Sequence, residues 1–239
     1  MEAIILSGGF GTRLRSVVNN VPKPMAPILG KPFLSYILDD LSEKGFKRVV
    51  LATGYKSDII QEYFKSSYRS LIIEYSQESI PLLTGGAVKQ AMSKCESEEF
   101  FVLNGDTFFD VDYKKMLEKK RSTNADILIA GKKLYNFSRY GTLVYDDTLN
   151  VKAFHEKTFM EEGVINSGVY LFSQGIFNTM DSTKFSLEKD FFEVSTGDRN
   201  IFVYIDDIDK YFIDIGIPND YEKAKEYFIR KKQGMGYDC

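Results

Sequence analysis

The sequence predicts an α/β fold: a central, mostly parallel sheet with helices on both faces. Short runs of Ile, Val, Leu and Phe alternate with helix-period segments through the first half of the chain, the pattern of βαβ units. The rhythm then shifts to strands with fewer helices between them, which predicts added or antiparallel strands on the same sheet. Hydrophobic residues make up 44% and charged residues 27% of the 239, enough to bury a sizeable core and too apolar for disorder.

The elements follow in order. Ala3–Leu6, Val49–Thr53, Leu71–Tyr75 and Phe100–Leu103 read as buried strands, because their apolar runs are short and unbroken. Between them, Phe33–Lys44 reads as a helix: Leu34, Ile37, Leu38 and Leu41 recur at helical spacing and Gly45 closes it. Ser57–Phe64, Gly85–Lys94 and Tyr113–Arg121 are further helices. Asp126–Lys132, Thr142–Tyr145, Val151–His155, Val169–Phe172 and Ile201–Ile205 read as strands, and Asp220–Arg230 as a last amphipathic helix with Tyr221, Ala224 and Phe228 on one face. No repeat or low-complexity linker interrupts this pattern, so residues 1–233 read as one domain, with 234–239 a patternless, disordered tail.

Composition excludes several functions. Lys plus Arg number 31 against 34 Asp plus Glu, a net charge of −3, which argues against a nucleic-acid or anionic-membrane surface. The cysteines, Cys95 and Cys239, give no disulfide framework or zinc ribbon and fit a reducing compartment. With His155 the sole histidine, a His–Asp relay or a multi-imidazole metal site is all but excluded. Met1–Leu6 lacks a basic secretory region, and the expectation is a soluble, cytoplasmic protein.

The first strand runs into Gly8-Gly9-Phe10-Gly11-Thr12-Arg13-Leu14. Such glycines let backbone N–H groups approach a phosphate, and Arg13 adds a forked cation; a plain tight turn explains the glycines equally well. A P-loop is excluded because Gly30-Lys31 is followed by Pro32, and a dinucleotide fingerprint because Leu14 holds the place of its third glycine. In Pro22-Lys23-Pro24 the flanking prolines stiffen the backbone and can aim an ammonium, although a rigid loop would look the same. Asn104-Gly105-Asp106 puts a carboxylate just past a buried strand, a common hard-cation position. Asp110-Val111-Asp112 has the D-x-D form that many glycosyltransferases use for a metal-bound sugar nucleotide, or else forms a turn and an N-cap. Asp214, alone within the apolar Tyr211–Gly216, is costly unless it is paired or bound to a metal. His155, in Phe154-His155-Glu156-Lys157, reads as a hydrogen-bonded strand flank rather than a catalyst.

Taken in order, Gly8-Gly9-x-Gly11-Thr12-Arg13-Leu14, Pro22-Lys23-Pro24, Gly105-Asp106, Glu156-Lys157, Asn166-Ser167-Gly168 and Asp214-x-Gly216 resemble the motifs of the sugar-1-phosphate nucleotidylyltransferases. The resemblance spans Ala3 to about Tyr221. The segments 103–110 and 211–218 are most similar to the bacterial guanylyltransferases that act on a heptose 1-phosphate for capsule or surface-layer glycans. It implies a Rossmann-like, three-layer α/β/α nucleotidyltransferase fold with a mixed, mostly parallel sheet, residues 1–125 holding nucleotide and 126–215 holding sugar. It implies Mg²⁺ on Asp106 and Asp214, with Arg13 and Lys23 completing the catalytic set. Nucleotide contacts are expected from Leu6, Gly8, Gly9, Gly11, Thr12, Glu78 and Gly85, and sugar-phosphate contacts from Gly141, Glu156, Lys157 and Asn166. The expected partners are a nucleoside triphosphate and a sugar 1-phosphate, with a homodimer left open.

Departures from the pattern are Arg15-Ser16 after Leu14, Thr158 after Glu156-Lys157, and Leu83 in Leu82-Leu83-Thr84 where relatives carry glycine. Five residues before Leu83 stands Glu78, where thymidylyl and uridylyl relatives place a pyrimidine-reading glutamine. A carboxylate is acceptor-only and matches the two adjacent donors of guanine, so Glu78 favours GTP. Within the family the alternative is a uridylyl-, cytidylyl- or mannose-1-phosphate guanylyltransferase. Outside it, a D-x-D glycosyltransferase on Asp110 and Asp112, and a non-catalytic nucleotide-sugar sensor, are the competing functions. The glycosyltransferase leaves Arg13 and Pro22-Lys23-Pro24 unexplained, and the sensor conflicts with the presence of Arg13, Asp106 and Asp214 together.

Overall fold

In chain order the elements are β1 (Glu2–Leu6), a short turn of 3₁₀ helix (Lys23–Met25), β2 (Pro27–Ile28), β3 (Lys31–Pro32), α1 (Phe33–Glu43), β4 (Arg48–Thr53), α2 (Ser57–Phe64), β5 (Ser67–Tyr68), β6 (Leu71–Gln77) and α3 (Leu83–Ala91). Then come β7 (Glu99–Asn104), β8 (Thr107–Phe109), α4 (Tyr113–Thr123), β9 (Ile127–Phe137), β10 (Thr142–Tyr145), β11 (Val151–His155) and β12 (Met160–Ser173). A π-helical segment (Leu187–Phe192) continues as α5 (Glu193–Ser195), and β13 (Ile201–Ile205), β14 (Phe212–Asp214) and α6 (Pro218–Lys232) follow. The computed structural model describes residues 1–9, 21–206 and 210–233. The expectations for Gly11, Thr12, Arg13 and Leu14, and for the 234–239 tail, lie outside the described residues.

The expected three-layer α/β architecture on a mixed sheet is the fold of this chain. Strands β6, β4, β1 and β7 pair parallel in that spatial order. β12 joins β7 antiparallel and pairs β9 on its other edge, β9 takes β13 parallel, and β10 and β11 extend the sheet from the start of β12. Because side chains alternate along a strand, neighbouring residues serve opposite cores. Ala3, Ile5, Val49, Leu51, Phe101 and Leu103 pack with α1, α4 and α6. Ile4, Val50, Ala52, Phe100 and Val102 pack with α3 and the 187–192 segment. Burial on both faces is why these strands are unbroken apolar runs.

The α1 terminus follows its sequence closely. Gly45 adopts φ +85°, its N–H donates to Ser42 O (3.2 Å), and Phe46 N–H donates to Leu41 O (3.0 Å), the paired bonds of a Schellman motif. Elsewhere the structure goes beyond the expected elements. β9 and β12 run further than Asp126–Lys132 and Val169–Phe172, because Lys133–Phe137 and Met160–Gly163 pair with one another as a solvent-facing ribbon whose side chains are half polar. β8 and β14 pair only with each other, so neither is visible as a local run. The Leu187–Ser195 helical segment was not expected, yet Ser186 caps it by accepting the N–H of Glu188 (3.2 Å) and Lys189 (3.3 Å).

Asp40 is buried on α1 and pairs with Lys44 Nζ at 3.0 Å, while the same ammonium reaches Asp110 at 2.7 Å. Burial, only partly offset by Lys44, pushes the Asp40 carboxyl up to about 6. The native state therefore holds this proton more tightly than the unfolded chain, and stability falls as pH rises from about 4 to about 6. Asp40→Asn removes the titration. Unfolding free energies from urea titrations at pH 4 to 7 are expected to decline less in the variant than in the wild type, by up to about 3 kcal/mol over the window. Parallel declines would assign the pH dependence to other groups.

Candidate active site

The carboxyl ends of the parallel strands converge on one side of the sheet, where ligands of open α/β folds bind. β1 ends in Leu6 and passes into Ser7-Gly8-Gly9, held by Ser7 N–H on Ala52 O (2.8 Å). β7 ends in Asn104, and Gly105 N–H donates to Leu6 O at 2.9 Å. A Cβ at Gly105 would lie 2.6 Å from Leu6 O, so the chain turns this tightly only because the residue is glycine. That turn delivers Asp106 beside the β1 loop.

Pairing of β14 with β8 sets Asp214 opposite Thr107, and Ile215 N–H donates to Asp106 O (3.1 Å). The two carboxylates thus share one corner. Lys23 enters the same corner on the Pro22–Ala26 turn, where Met25 N–H reaches Pro22 O at 2.8 Å. Its Nζ donates to Asp106 Oδ2 at 2.5 Å and to Asp214 Oδ1 at 3.2 Å. Gly216 N–H also donates to Asp214 Oδ1 (2.7 Å). Arg139, paired with the buried Asp220, approaches Asp214 Oδ2 at 3.6 Å. Burial, reinforced by the Asp214 charge, holds the Tyr140 phenol above its ordinary range.

An open cleft of ≈ 530 Å³ runs from this corner along the strand ends. Leu6, Gly8, Gly9, Lys23, Glu78, Asp106, Lys157 and Asp214, all expected at the site, line it together. Ala52, Pro81, Leu83, Thr84, Ala87 and Glu188 form another wall of the cleft, apolar but for Thr84 and Glu188. Burial raises the Glu78 carboxyl, only partly offset by the Leu82 N–H, which donates to Oε2 at 3.3 Å. One oxygen of Glu78 is therefore already committed to the backbone, where the sequence reading gave it both for a base.

The remaining expected residues stand back from the cleft lining. Gly85 donates its N–H to Phe185 O (2.9 Å), and a Cβ there would strike the Phe185 ring, so its place is helix packing behind the wall. Asn166 accepts Gly168 N–H at 3.1 Å and donates its own N–H to Gly141 O at 3.2 Å. Glu156 is exposed and 3.4 Å from Lys189. His155 is exposed at the end of β11, outside the lining. Burial pushes the Cys95 thiol up to about 12, which removes it as a nucleophile.

Sequence reading missed Thr84, Glu188 and Arg139. Thr84 Oγ1 donates to Glu188 Oε2 (3.1 Å) and accepts Leu187 N–H (2.8 Å), while Ser186 Oγ donates to Glu188 Oε2 at 2.9 Å. The Ser186-x-Glu188 start of a helix was a usable signal; nothing local marks Arg139. The D-x-D carboxylates are employed elsewhere. Asp110 pairs with Lys44, and Asp112 caps α4 by accepting the N–H of Lys114 and Lys115 at 3.1 Å each. Asp112→Ala is expected to lower the unfolding free energy by about 1 kcal/mol, the usual worth of an N-cap, and to leave turnover within about twofold. A collapse of turnover with stability intact would return Asp112 to the chemistry.

The nucleotidyl transferase family model matches residues 2–231. Over 227 residues the chain is 49% identical to a D-glycero-α-D-manno-heptose 1-phosphate guanylyltransferase of Aneurinibacillus thermoaerophilus, covering 95% of this chain and 97% of that one. It is 46% identical over 222 residues to the protein of the same name in Campylobacter jejuni, covering 92% and 97%. The crystal structure of HddC from Yersinia pseudotuberculosis complexed with GMP-PN matches with a TM-score of 0.85 and 39% identity, covering 95% of this chain and 99% of that one. Among the described residues no helix is long and apolar enough to cross a membrane.

Proposed function

The chain belongs to the nucleotidyl transferase family, and from that premise we propose that it joins GTP to D-glycero-α-D-manno-heptose 1-phosphate, releasing pyrophosphate. The observation that carries the reading is the corner where Lys23 meets Asp106 and Asp214 in a cleft that Gly8, Gly9, Glu78 and Lys157 also line. Near-full-length identity of 49% and 46% to two proteins of that name supports the substrate pair.

The attacking group is a phosphate oxygen of the sugar phosphate, already anionic at neutral pH. It forms a bond to the α-phosphorus of the triphosphate, and the bond from that phosphorus to the bridging oxygen of pyrophosphate breaks. No proton has to be removed, so the absence of histidine and reactive thiol from the cleft lining is no obstacle. The difficulty is electrostatic, since two polyanions must meet in line.

Asp106 and Asp214 would hold Mg²⁺. Among the described residues no cluster of three or more metal-ligating side chains exists, but one or two carboxylates with substrate phosphates and water is the donor set Mg²⁺ prefers. Bound there, the ion would neutralise charge between the two phosphates. Lys23 would follow the transferring phosphoryl, and Lys157 would bind the sugar phosphate. The Gly8 and Gly9 amides would face the triphosphate, with Gly11, Thr12 and Arg13 completing its hold. Glu156 and Asn166, with Gly141, would contact the sugar beside Lys157. Glu78 and the apolar wall would receive guanine. The setting proposed is cytoplasmic, with the product feeding surface-glycan assembly.

Pyrophosphate release is the test, with GTP, ATP, UTP and CTP each offered against heptose and mannose 1-phosphates. GTP with the heptose phosphate is expected to give the highest kcat/KM, and a preference for UTP or CTP would overturn the guanylyl assignment. Asp106→Asn and Asp214→Asn are each expected to lower kcat by about 10²-fold or more, and the double variant little further, because the pair acts as a unit. Lys157→Ala is expected to raise KM for the sugar phosphate with little change in KM for GTP. Glu78→Gln is expected to erode the preference for GTP, with kcat/KM for UTP and CTP as the comparison.

A further inference from the structure

Arg139 stands behind the Lys23 corner rather than in the cleft. It does not line the cavity, yet its guanidinium meets two carboxylates: Nη1 donates to Asp220, and Nη2 lies 3.6 Å from Asp214 Oδ2. Asp220 is buried in the first turn of α6. One prong of the fork is therefore fixed in the interior while the other faces Asp214. Lys223 also reaches Asp220, at 3.5 Å, but that lysine is 57% exposed.

The turn that carries Arg139 is docked at both ends. Tyr140 packs edge-on against Phe212, ring centroids 5.6 Å apart, on the strand that ends in Asp214. Gly141 O accepts Asn166 N–H at 3.2 Å, and a Cβ at Gly141 would lie 3.1 Å from His155 O. The turn is thus held between β14 on one side and β11 and β12 on the other, and packing sets the reach of the guanidinium.

Asp214 has a use for such a hold. Its Oδ1 accepts Lys23 Nζ and Gly216 N–H, and among the described residues Arg139 is the cation facing Oδ2. A lysine at 139 would keep the charge, but a point charge cannot engage two carboxylates as the planar fork does. We propose that Arg139 is a positioning residue: anchored on Asp220, it fixes Asp214 in the orientation from which that carboxylate takes a divalent ion. The proposal rests on the nucleotidyl transfer reading of the corner and adds to it a residue that touches neither substrate nor ion. A guanidinium acting only through its charge would do the opposite, since a cation beside the site repels the metal.

The sign of the effect is read by calorimetry of GTP binding, without sugar phosphate, in Mn²⁺ and again in EDTA. The ratio of the two affinities is the metal's contribution. Arg139→Met is expected to lower that ratio about tenfold, the usual scale for losing a group that orients a metal ligand, and to leave affinity in EDTA within about threefold. Arg139→Lys is expected to lower it as well, because charge alone does not restore the orientation. Arg139→Met leaves Asp220 buried without its main partner, so Arg139→Met/Asp220→Leu carries the test where the single variant fails to fold. The double variant is expected to melt close to the wild type while its ratio stays low. A ratio unchanged or raised in Arg139→Met, a ratio restored in the double variant, or full restoration by lysine would each overturn the proposal. A wild type that binds GTP equally in Mn²⁺ and EDTA would instead overturn the metal reading of the corner, and the role of Arg139 with it.

Discussion

Two carboxylates that repel one another share a corner, and a single ammonium holds them there. Asp106 and Asp214 meet across Lys23, whose Nζ lies 2.5 and 3.2 Å from their oxygens. The contacts join positions 83 and 191 residues apart in the chain, so no local segment can make the corner. It needs the parallel order of β1 and β7 to bring Asp106 to the strand ends, and the short β8–β14 pairing to bring Asp214 beside it. An aromatic cluster fixes that pairing. Phe108 of β8 packs edge-on against Phe228 of α6 at 5.3 Å, and Phe228 stacks on Tyr36 of α1 at 3.9 Å. Packing energy on one face of the sheet is thus what holds like charges together at its end.

The parts of this design that are local in sequence were readable from it. β1, β4, β6 and β7 announce themselves because burial on both faces demands unbroken apolar runs, and α1 because its spacing and Gly45 agree. Asp106 and Asp214 stood out because a carboxylate beside apolar strands needs a partner. What was not readable is non-local. The ribbon of β9 and β12 beyond its buried part has mixed polarity, so no pattern separates it from loop. Arg139 reaches the site only through Asp214 and Asp220, one at the end of β14 and the other at the start of α6. Gly85, expected at the nucleotide, has a packing reason for its bare Cα that no local pattern announces: a Cβ there would strike the Phe185 ring.

Charge is distributed along the cleft with the same economy. Asp214 Oδ1 already accepts from Lys23 and Gly216, and Oδ2 faces Arg139, so each of its oxygens has a cationic or dipolar neighbour. A carboxylate held on both sides cannot swing toward solvent, and its position is set before any substrate arrives. Asp106 is more exposed, at 35% of its side chain against 23% for Asp214, and its Oδ1 accepts the Thr107 hydroxyl at 3.3 Å while Oδ2 faces Lys23. On the proposed reading, the pair would offer a divalent ion one carboxylate fixed on both sides and one more open to solvent.

Lys23 then has two situations to serve. With the cleft free of phosphate its ammonium is the counter-charge that makes the two carboxylates tolerable. On the proposed reading, a divalent ion held by Asp106 and Asp214 would take over that pairing and leave the ammonium to face phosphate oxygens. The prolines on either side limit how far the backbone can follow, so the charge moves by side-chain rotation alone. On that reading the fold and the phosphate chemistry would draw on the same cation.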